Sequence, residues 1–376
     1  MTIIKHTPFF HKWEQLGAQF QDRGGFATIN YLSSIADEHR AVRERVGIFD
    51  VGYQIAIEVK GRDAEKVLAY ALVNDARRLR DGRSLYSTIC QPDGGILDDL
   101  TCFRFSADRF WISPSPSRVP AVLEFLQVLA GSNQATVTNL GLGNGYLSVQ
   151  GPRSRELLAS LTDIDLSTSA LPFFAFTEGR LGHIPRVVIS RTGFSGELGY
   201  ELFFPVEYAE YVWDAVVEAG RAYELRPCGM KTLRSLRIEK MYLIYGLDLT
   251  ADTDPLSAGL GWTVRFQDRD FSGRDALQRI AAAGPSRRLC LLETTGFHAI
   301  SHGEEVRSGR DVVGSVTSAD PGHTLGRTYA LSYLPIALAE PGQPVEIIAA
   351  DRNIAPIAAR VLTRAPYDPD RRRLTM

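Results

Sequence analysis

The chain has 376 residues, of which 44% are hydrophobic and 23% are charged, so it can bury a large core divided between two or three domains. Its formal net charge of -2 provides no basic field for a nucleic acid or an anionic membrane, and we expect neither as a partner. The sequence has no secretory signal pattern and no run of about eighteen uncharged apolar residues, which predicts a cytoplasmic protein.

Cysteine and histidine placement argues against a metal centre. The four cysteines are Cys90, Cys102, Cys228 and Cys290. They are too scattered for a disulfide framework or a CxxC site, so we expect reduced thiols. His298 and His302 lie close together, but they stand beside glycines in a predicted loop. We therefore expect no metal cofactor.

Strands and helices alternate through most of the chain. Residues 56–61 alternate as a strand, residues 62–73 have helical spacing, and LYSTICQ and DLTCFRFS return as strands around a turn at residues 92–95. Strand-like DRFWIS, YLSVQG and YELFFP and helical EYAEYVWDAVVEAGRAYE and TLRSLRIEKMYL follow. This order predicts an α+β fold with antiparallel pairing. From about Phe271, short strands separated by glycine, proline and charged turns predict a small β-barrel or sandwich.

Residues 190–202, SRTGFSGELGYEL, combine two kinds of signal. Three glycines offer backbone positions that tolerate positive φ and close approach to a ligand, and Glu197 and Glu201 lie among them. From the residues alone, an ordinary glycine-rich hairpin with solvated glutamates is an equally good interpretation.

This run resembles the SRTGYTGE-x-G-x-E signature of the glycine-cleavage T-protein (aminomethyltransferase) superfamily, whose members bind tetrahydrofolate. Six further segments resemble family blocks in the same order along the chain: residues 38–51, 85–100, 149–152, 235–250, 254–264 and 313–326. The resemblance implies a three-domain cloverleaf, with two α+β domains of antiparallel sheets and a C-terminal β-barrel. We expect a folate-binding domain of residues 1–52 and 145–271, an inserted domain of residues 53–144, and a barrel of residues 272–376.

Asp98 and Asp99 follow the turn PDGG at the start of a strand, where alternation sends one carboxylate to each face. Both can simply cap or solvate the turn. The pattern also resembles GGI-x-DD of the T-proteins, which implies that Asp98 is the catalytic carboxylate beside the reacting nitrogens of tetrahydrofolate and that Asp99 is mainly structural. There an anion would stabilise positive charge that develops on nitrogen.

The resemblance also implies a set of folate-binding residues. Glu201 matches a glutamate that suits the donor groups of a pterin, and Glu197 matches a second one. Phe194, Tyr86 and Tyr245 occupy aromatic positions that can stack on the pterin, although each can equally be a core residue.

A folate also carries glutamyl carboxylates, which call for a cation. Arg237 matches the second arginine of the family helix, whereas the first, which meets the folate in T-proteins, aligns with Leu233. Arg234 or Lys231 can substitute for it, and simple surface ion pairs remain an alternative for the arginines.

Three segments depart from the T-protein pattern: residues 24–31 (GGFATINY), 49–54 (FDVGYQ) and 113–117 (SPSPS). Because these family blocks surround the donor cavity, the departures favour a demethylase that takes methyl from a small methylated acid, preferably an aryl methyl ether, and forms 5-methyltetrahydrofolate. No obligatory protein partner is then expected. An aromatic acid would meet Tyr31, Tyr53, Gln54 and Trp111.

Three alternatives stay open beside the aryl ether demethylase. One is a glycine-cleavage-type aminomethyltransferase. Another is a demethylase of a sulfonium or methylamine compound, which the same aromatic side chains can bind through cation–π contact. The third is a folate-binding relative without catalytic activity, and the retained Asp98 argues against it.

Overall fold

The computed structural model describes residues 5–23, 25–349 and 355–376. The helices there are α1 (Phe10–Gln15), α2 (Ile35–Glu44), α3 (Ala64–Ala71), α4 (Val119–Ala130), α5 (Ser154–Ala159), α6 (Ala209–Gly220), α7 (Met230–Ile238), α8 (Arg274–Ala283) and α9 (Arg372–Thr375). The first strands are β1 (Phe20–Arg23), β2 (Phe26–Ile29), β3 (Gly47–Asp50), β4 (Ile57–Lys60), β5 (Arg83–Cys90), β6 (Ile96–Ser106), β7 (Arg109–Pro114), β8 (Thr136–Asn139), β9 (Asn144–Gln150), β10 (Phe176–Leu181), β11 (Ile184–Ser190), β12 (Gly199–Pro205) and β13 (Arg226–Cys228). The remaining strands are β14 (Arg287–Thr294), β15 (Glu305–Ser308), β16 (Asp311–Gly322), β17 (Arg327–Pro335), β18 (Pro344–Ile348) and β19 (Ile357–Leu362).

A six-stranded sheet is built from two parts of the chain. One part precedes the segment that forms the five-stranded sheet, and the other part follows it. The order of the six-stranded sheet is β10-β11-β12-β9-β3-β13, and its pairs are antiparallel except for β13 on β3. Apolar residues of β9, β11 and β12 pack against α5 and α6 in one core cluster, in which Trp13 and Trp213 meet edge to face.

A five-stranded sheet of order β5-β6-β7-β4-β8 is antiparallel throughout. One face packs its alternate apolar residues against α3 and α4. The other face meets the six-stranded sheet through an aromatic cluster of Tyr53, Phe103, Trp111, Tyr146 and Phe203, in which the rings of Phe103 and Phe203 lie 5.7 Å apart. All strands of this sheet fall within residues 57–139, and the domain boundaries themselves stay predictions.

The last six strands close into a barrel of order β14-β17-β16-β15-β18-β19, with β19 returning to β14. Its interior is filled by aliphatic side chains such as Leu292, Val316 and Ile347. The largely antiparallel sheets, the helices packed against them and the closed barrel that follows confirm the predicted α+β fold class. None of the helices in the described ranges combines the length and apolar character needed to cross a bilayer.

Candidate functional site

The β5–β6 hairpin places two consecutive aspartates, Asp98 and Asp99, which we call the carboxylate pair. The turn before them is closed by the backbone N–H of Gln91, which donates to the carbonyl of Gly95 at 2.8 Å. Gly95 is required here because a Cβ would lie 2.1 Å from the carbonyl oxygen of Ala251. The pair therefore lies near the start of β6, just after a turn that is held against a second segment of the chain.

Asp98 lies on the same face of β6 as Leu100, toward α3 and α4, and its side chain is 0% exposed. Its Oδ2 accepts a hydrogen bond from the backbone N–H of Ser115 at 2.8 Å, while its buried Oδ1 accepts none from the described residues. Burial, with a smaller contribution from the neighbouring Asp99, raises the pKa of Asp98 to about 8.

Asp99 lies on the opposite face of the strand. The hydroxyl of Tyr86 donates to its Oδ2 at 2.8 Å, and its buried Oδ1 likewise accepts no hydrogen bond from the described residues. Burial raises the pKa of Asp99 to about 6, and the hydrogen bond from Tyr86 opposes part of that increase. The carboxylate pair thus offers two buried oxygens and two different proton affinities.

Aromatic rings flank the carboxylate pair. Tyr86 stacks on Trp262, with ring centroids 6.0 Å apart and planes inclined by 21°. The hydroxyl of Tyr245 donates to the carbonyl of Ile96 at 3.3 Å. The structure therefore brings the predicted residues Tyr86 and Tyr245 to the pair. Trp262 was not predicted, although it lies within the block at residues 254–264 that carried part of the resemblance.

Glu201 lies on β12 and is partly exposed. Its carboxylate accepts a hydrogen bond from the hydroxyl of Thr192, and burial raises its pKa. Phe194 packs against the aromatic cluster, with its ring centroid 5.6 Å from that of Tyr242. Both residues stay predictions as contacts of a pterin.

Glu197 and Arg237 each take part in buried ion pairs. Arg43 donates to Glu197 at 3.1 Å, and the hydroxyl of Tyr367 donates to the same carboxylate oxygen. Arg237 is fully buried, and it donates to Asp248 at 2.9 Å and to other acceptors. These contacts join segments that are far apart in the sequence, so both residues have structural partners already.

The predicted donor-binding residues separate into two groups. Tyr53 and Trp111 are buried in the aromatic cluster, where Tyr53 donates to the sulfur of Met230 at 3.4 Å. Tyr31 is exposed, and Gln54 is partly buried. Of the altered segment at residues 24–31, Gly24 lies outside the described residues.

The helix position that aligns with the folate-contacting arginine of T-proteins carries no charge. Leu233 is 8% exposed and packs in the same core group as the aromatic cluster. Of the two proposed substitutes, Arg234 is paired with Asp320 at 3.1 Å, and Lys231 is exposed. Within the described ranges, no group of three or more His, Cys, Asp or Glu side chains is arranged to hold a metal ion.

Two family models match the chain. The GCVT N-terminal domain matches residues 9–268, and the glycine cleavage T-protein C-terminal barrel domain matches residues 287–368. A protein named aminomethyltransferase from Halothermothrix orenii is 36% identical over 93% of this chain and 97% of the relative. One of the same name from Streptomyces coelicolor is 38% identical over 91% of this chain and 92% of the relative.

A solved structure has the same fold. The glycine cleavage system aminomethyltransferase T from Bartonella henselae superposes with a TM-score of 0.87 at 28% identity. The match covers 96% of this chain and 98% of that one. The structural similarity therefore extends over both sheets and the barrel.

Proposed function

The chain belongs to the glycine cleavage T-protein family of aminomethyltransferases, and we propose that it transfers a one-carbon unit from an aminomethyl donor to tetrahydrofolate. Aminomethyltransferases of this family use tetrahydrofolate, as the sequence resemblance implied. Relatives that match nearly the whole chain carry the name aminomethyltransferase, which supports this reaction more strongly than the demethylation favoured by the sequence departures.

The carboxylate pair is the observation that carries this proposal. Tetrahydrofolate has N–H donors and supplies the nucleophilic nitrogen that receives the carbon. The pair fits such a ligand because Oδ1 of Asp98 and Oδ1 of Asp99 are buried oxygens without a hydrogen-bond partner among the described residues. An N–H donor of the ligand would pair with an ionised carboxyl group, and a nitrogen lone pair would pair with a protonated one, so either contact would relieve the cost of leaving the oxygen unpaired.

The two carboxyl groups divide the proton work in this proposal. With a pKa of about 8, Asp98 holds a proton at neutral pH, and that proton lies on Oδ1 because Oδ2 accepts from Ser115. With a pKa of about 6, Asp99 is mainly ionised and accepts an N–H. Asp98 can then protonate the departing amine while Asp99 stabilises positive charge on nitrogen.

The pterin contacts follow from the same proposal. Glu201 offers a carboxylate to the pterin donors, and Phe194 and Tyr86 offer ring faces. Trp262 is 53% exposed and stacked on Tyr86, so it can cover a flat ligand at the side of Asp99.

Demethylation of a small methylated acid is the second candidate. It is favoured by the aromatic cluster, where Tyr53 and Trp111 come from or adjoin the segments that depart from the T-protein pattern. In this reaction the methyl group leaves an ether, sulfonium or amine and reaches tetrahydrofolate without a carrier protein. An aryl methyl ether would leave as a phenol after protonation of its oxygen.

One product analysis separates the candidates. The purified chain is supplied with tetrahydrofolate and either an aminomethyl-lipoyl carrier protein or a panel of methylated acids. Formation of 5,10-methylenetetrahydrofolate and ammonia, with release of the free lipoyl thiol on the carrier protein, supports aminomethyl transfer. Formation of 5-methyltetrahydrofolate and a demethylated acid, with no reaction of the carrier, would contradict it in favour of the second candidate. Folate binding without either product would indicate a non-catalytic protein.

A further inference from the structure

We propose that Arg118 is an anion-binding residue of this site and receives the carboxylate of a bound ligand beside the carboxylate pair. The inference rests on the proposed function, because that function requires a carboxylate-bearing folate and admits an acidic donor. Neither the sequence motifs nor the predicted folate contacts pointed to this residue.

Two contacts fix Arg118 next to Asp98. It ends the short 3-10 turn Pro116–Arg118, directly before α4, and its Nε donates to the carbonyl of Leu97 at 3.0 Å. Its guanidinium carbon lies 5.1 Å from the ring centroid of Tyr245. Because Leu97 immediately precedes Asp98, these contacts hold the cation close to the pair.

The guanidinium has no carboxylate partner among the described residues. Two partly buried arginines of the same five-stranded sheet differ: Arg104 is paired with Glu65 and Asp81, and Arg109 with Glu58. Arg118 is also partly buried, yet only its Nε donates to a protein atom in the described part of the chain. An arginine has five N–H donors, so its two terminal nitrogens are left to bind a ligand in a bidentate way.

Cations on helix α7 are less suitable. Leu233 stands at the position of the expected arginine, Arg234 and Arg237 are both engaged with Asp320, and Lys231 is exposed. A carboxylate that enters beside the carboxylate pair would be repelled by an ionised Asp99. Arg118 is placed to offset that repulsion.

Two sources can supply the carboxylate, namely the glutamyl part of the folate or a small acidic donor. Calorimetry distinguishes the two sources. For the folate, tetrahydrofolate is compared with tetrahydropteroate, which lacks the glutamyl group. For the donor, 4-methoxybenzoate is compared with its uncharged amide. The variants are Arg118→Gln, Arg118→Lys, which keeps the charge, and Arg279→Gln, an exposed arginine on α8, as the matched control.

A folate source predicts that Arg118→Gln weakens tetrahydrofolate binding by about tenfold or more and leaves tetrahydropteroate binding unchanged. A donor source predicts loss of methoxybenzoate binding with both folates and the amide unaffected. Arg118→Lys should retain part of the affinity in either case, and Arg279→Gln all of it. Unchanged binding in Arg118→Gln, or equal losses for charged and uncharged probes, overturns the inference. Failure of the wild-type chain to bind tetrahydrofolate would instead refute the proposed function.

Discussion

The unusual protonation of Asp98 should appear as a pH dependence of stability that Asp98→Asn removes. Burial raises the pKa of this carboxyl from 3.8 to about 8, so the folded protein holds a proton that the unfolded chain releases between these values. The unfolded state binds fewer protons in this window, and stability therefore falls as the pH rises through it. The stability that Asp98 contributes is fully present below the pKa of this group in the unfolded chain, and it is lost above pH 8.

The magnitude follows from the width of the window. Between pH 5 and pH 9, the range in which only the folded state holds the Asp98 proton spans about three pH units. Each unit corresponds to about 1.4 kcal/mol, so this one carboxyl lowers the unfolding free energy of the wild-type chain by roughly 4 kcal/mol. In Asp98→Asn, the amide oxygen still accepts from Ser115, but the buried NH₂ lacks a partner, at a cost of about 1–3 kcal/mol. The variant should be less stable than wild type at pH 5 and more stable at pH 9.

Urea denaturation at pH 5 and pH 9 measures this crossing. Asp275→Asn serves as the control because its side chain is 83% exposed, and its unfolding free energy should follow wild type at both values. Asp99→Asn should remove only the smaller part of the dependence, since its pKa is raised to about 6. Parallel curves for wild type and Asp98→Asn would show that Asp98 ionises normally and would refute its assignment as a proton holder.

Three further outcomes follow from the site. Glu201→Ala should weaken tetrahydrofolate binding by about 1.5–3 kcal/mol in calorimetry, because a charged hydrogen-bond partner is lost; unchanged affinity would remove the pterin assignment. Asp98→Asn should bind tetrahydrofolate and turn over about a hundredfold or more slowly, since asparagine transfers no proton. If Asp99→Asn lost the larger share of turnover, the two roles should be exchanged. Arg237→Met should lower unfolding stability by about 3–5 kcal/mol in denaturant titration, because it leaves the buried carboxylate of Asp248 without its ion-pair partner; a loss of folate affinity at unchanged stability would contradict this structural role.

The local order of the fold was predictable because its signals are local. Alternation and turn residues identified the β5–β6 hairpin, and the same alternation placed Asp98 and Asp99 on opposite faces, as the structure has them. The change of strand spacing near Phe271 predicted the barrel, although the residues alone left a sandwich open. Short strands with regular turns are compatible with both until pairing closes the sheet.

The partners of charged residues could not be predicted in the same way. Arg237 contacts Asp320, and Glu197 contacts Arg43, each across a long stretch of sequence. A motif match alone cannot separate a residue that joins segments from one that contacts a ligand. Arg118 shows the converse, since only the lack of a carboxylate neighbour among the described residues distinguishes it from the paired arginines.

The opposite faces of the carboxylate pair change the mechanistic expectation from the sequence. That expectation assigned the anion to Asp98, but an anion that stabilises charge must be ionised at the working pH. Asp98 faces the apolar layer under α3 and α4 and has a pKa of about 8, whereas Asp99 has the hydroxyl of Tyr86 and a pKa of about 6. Under the proposed function, these pKa values favour Asp99 as the anion and Asp98 as the acid, so the two tasks would be separated by a single position along the strand.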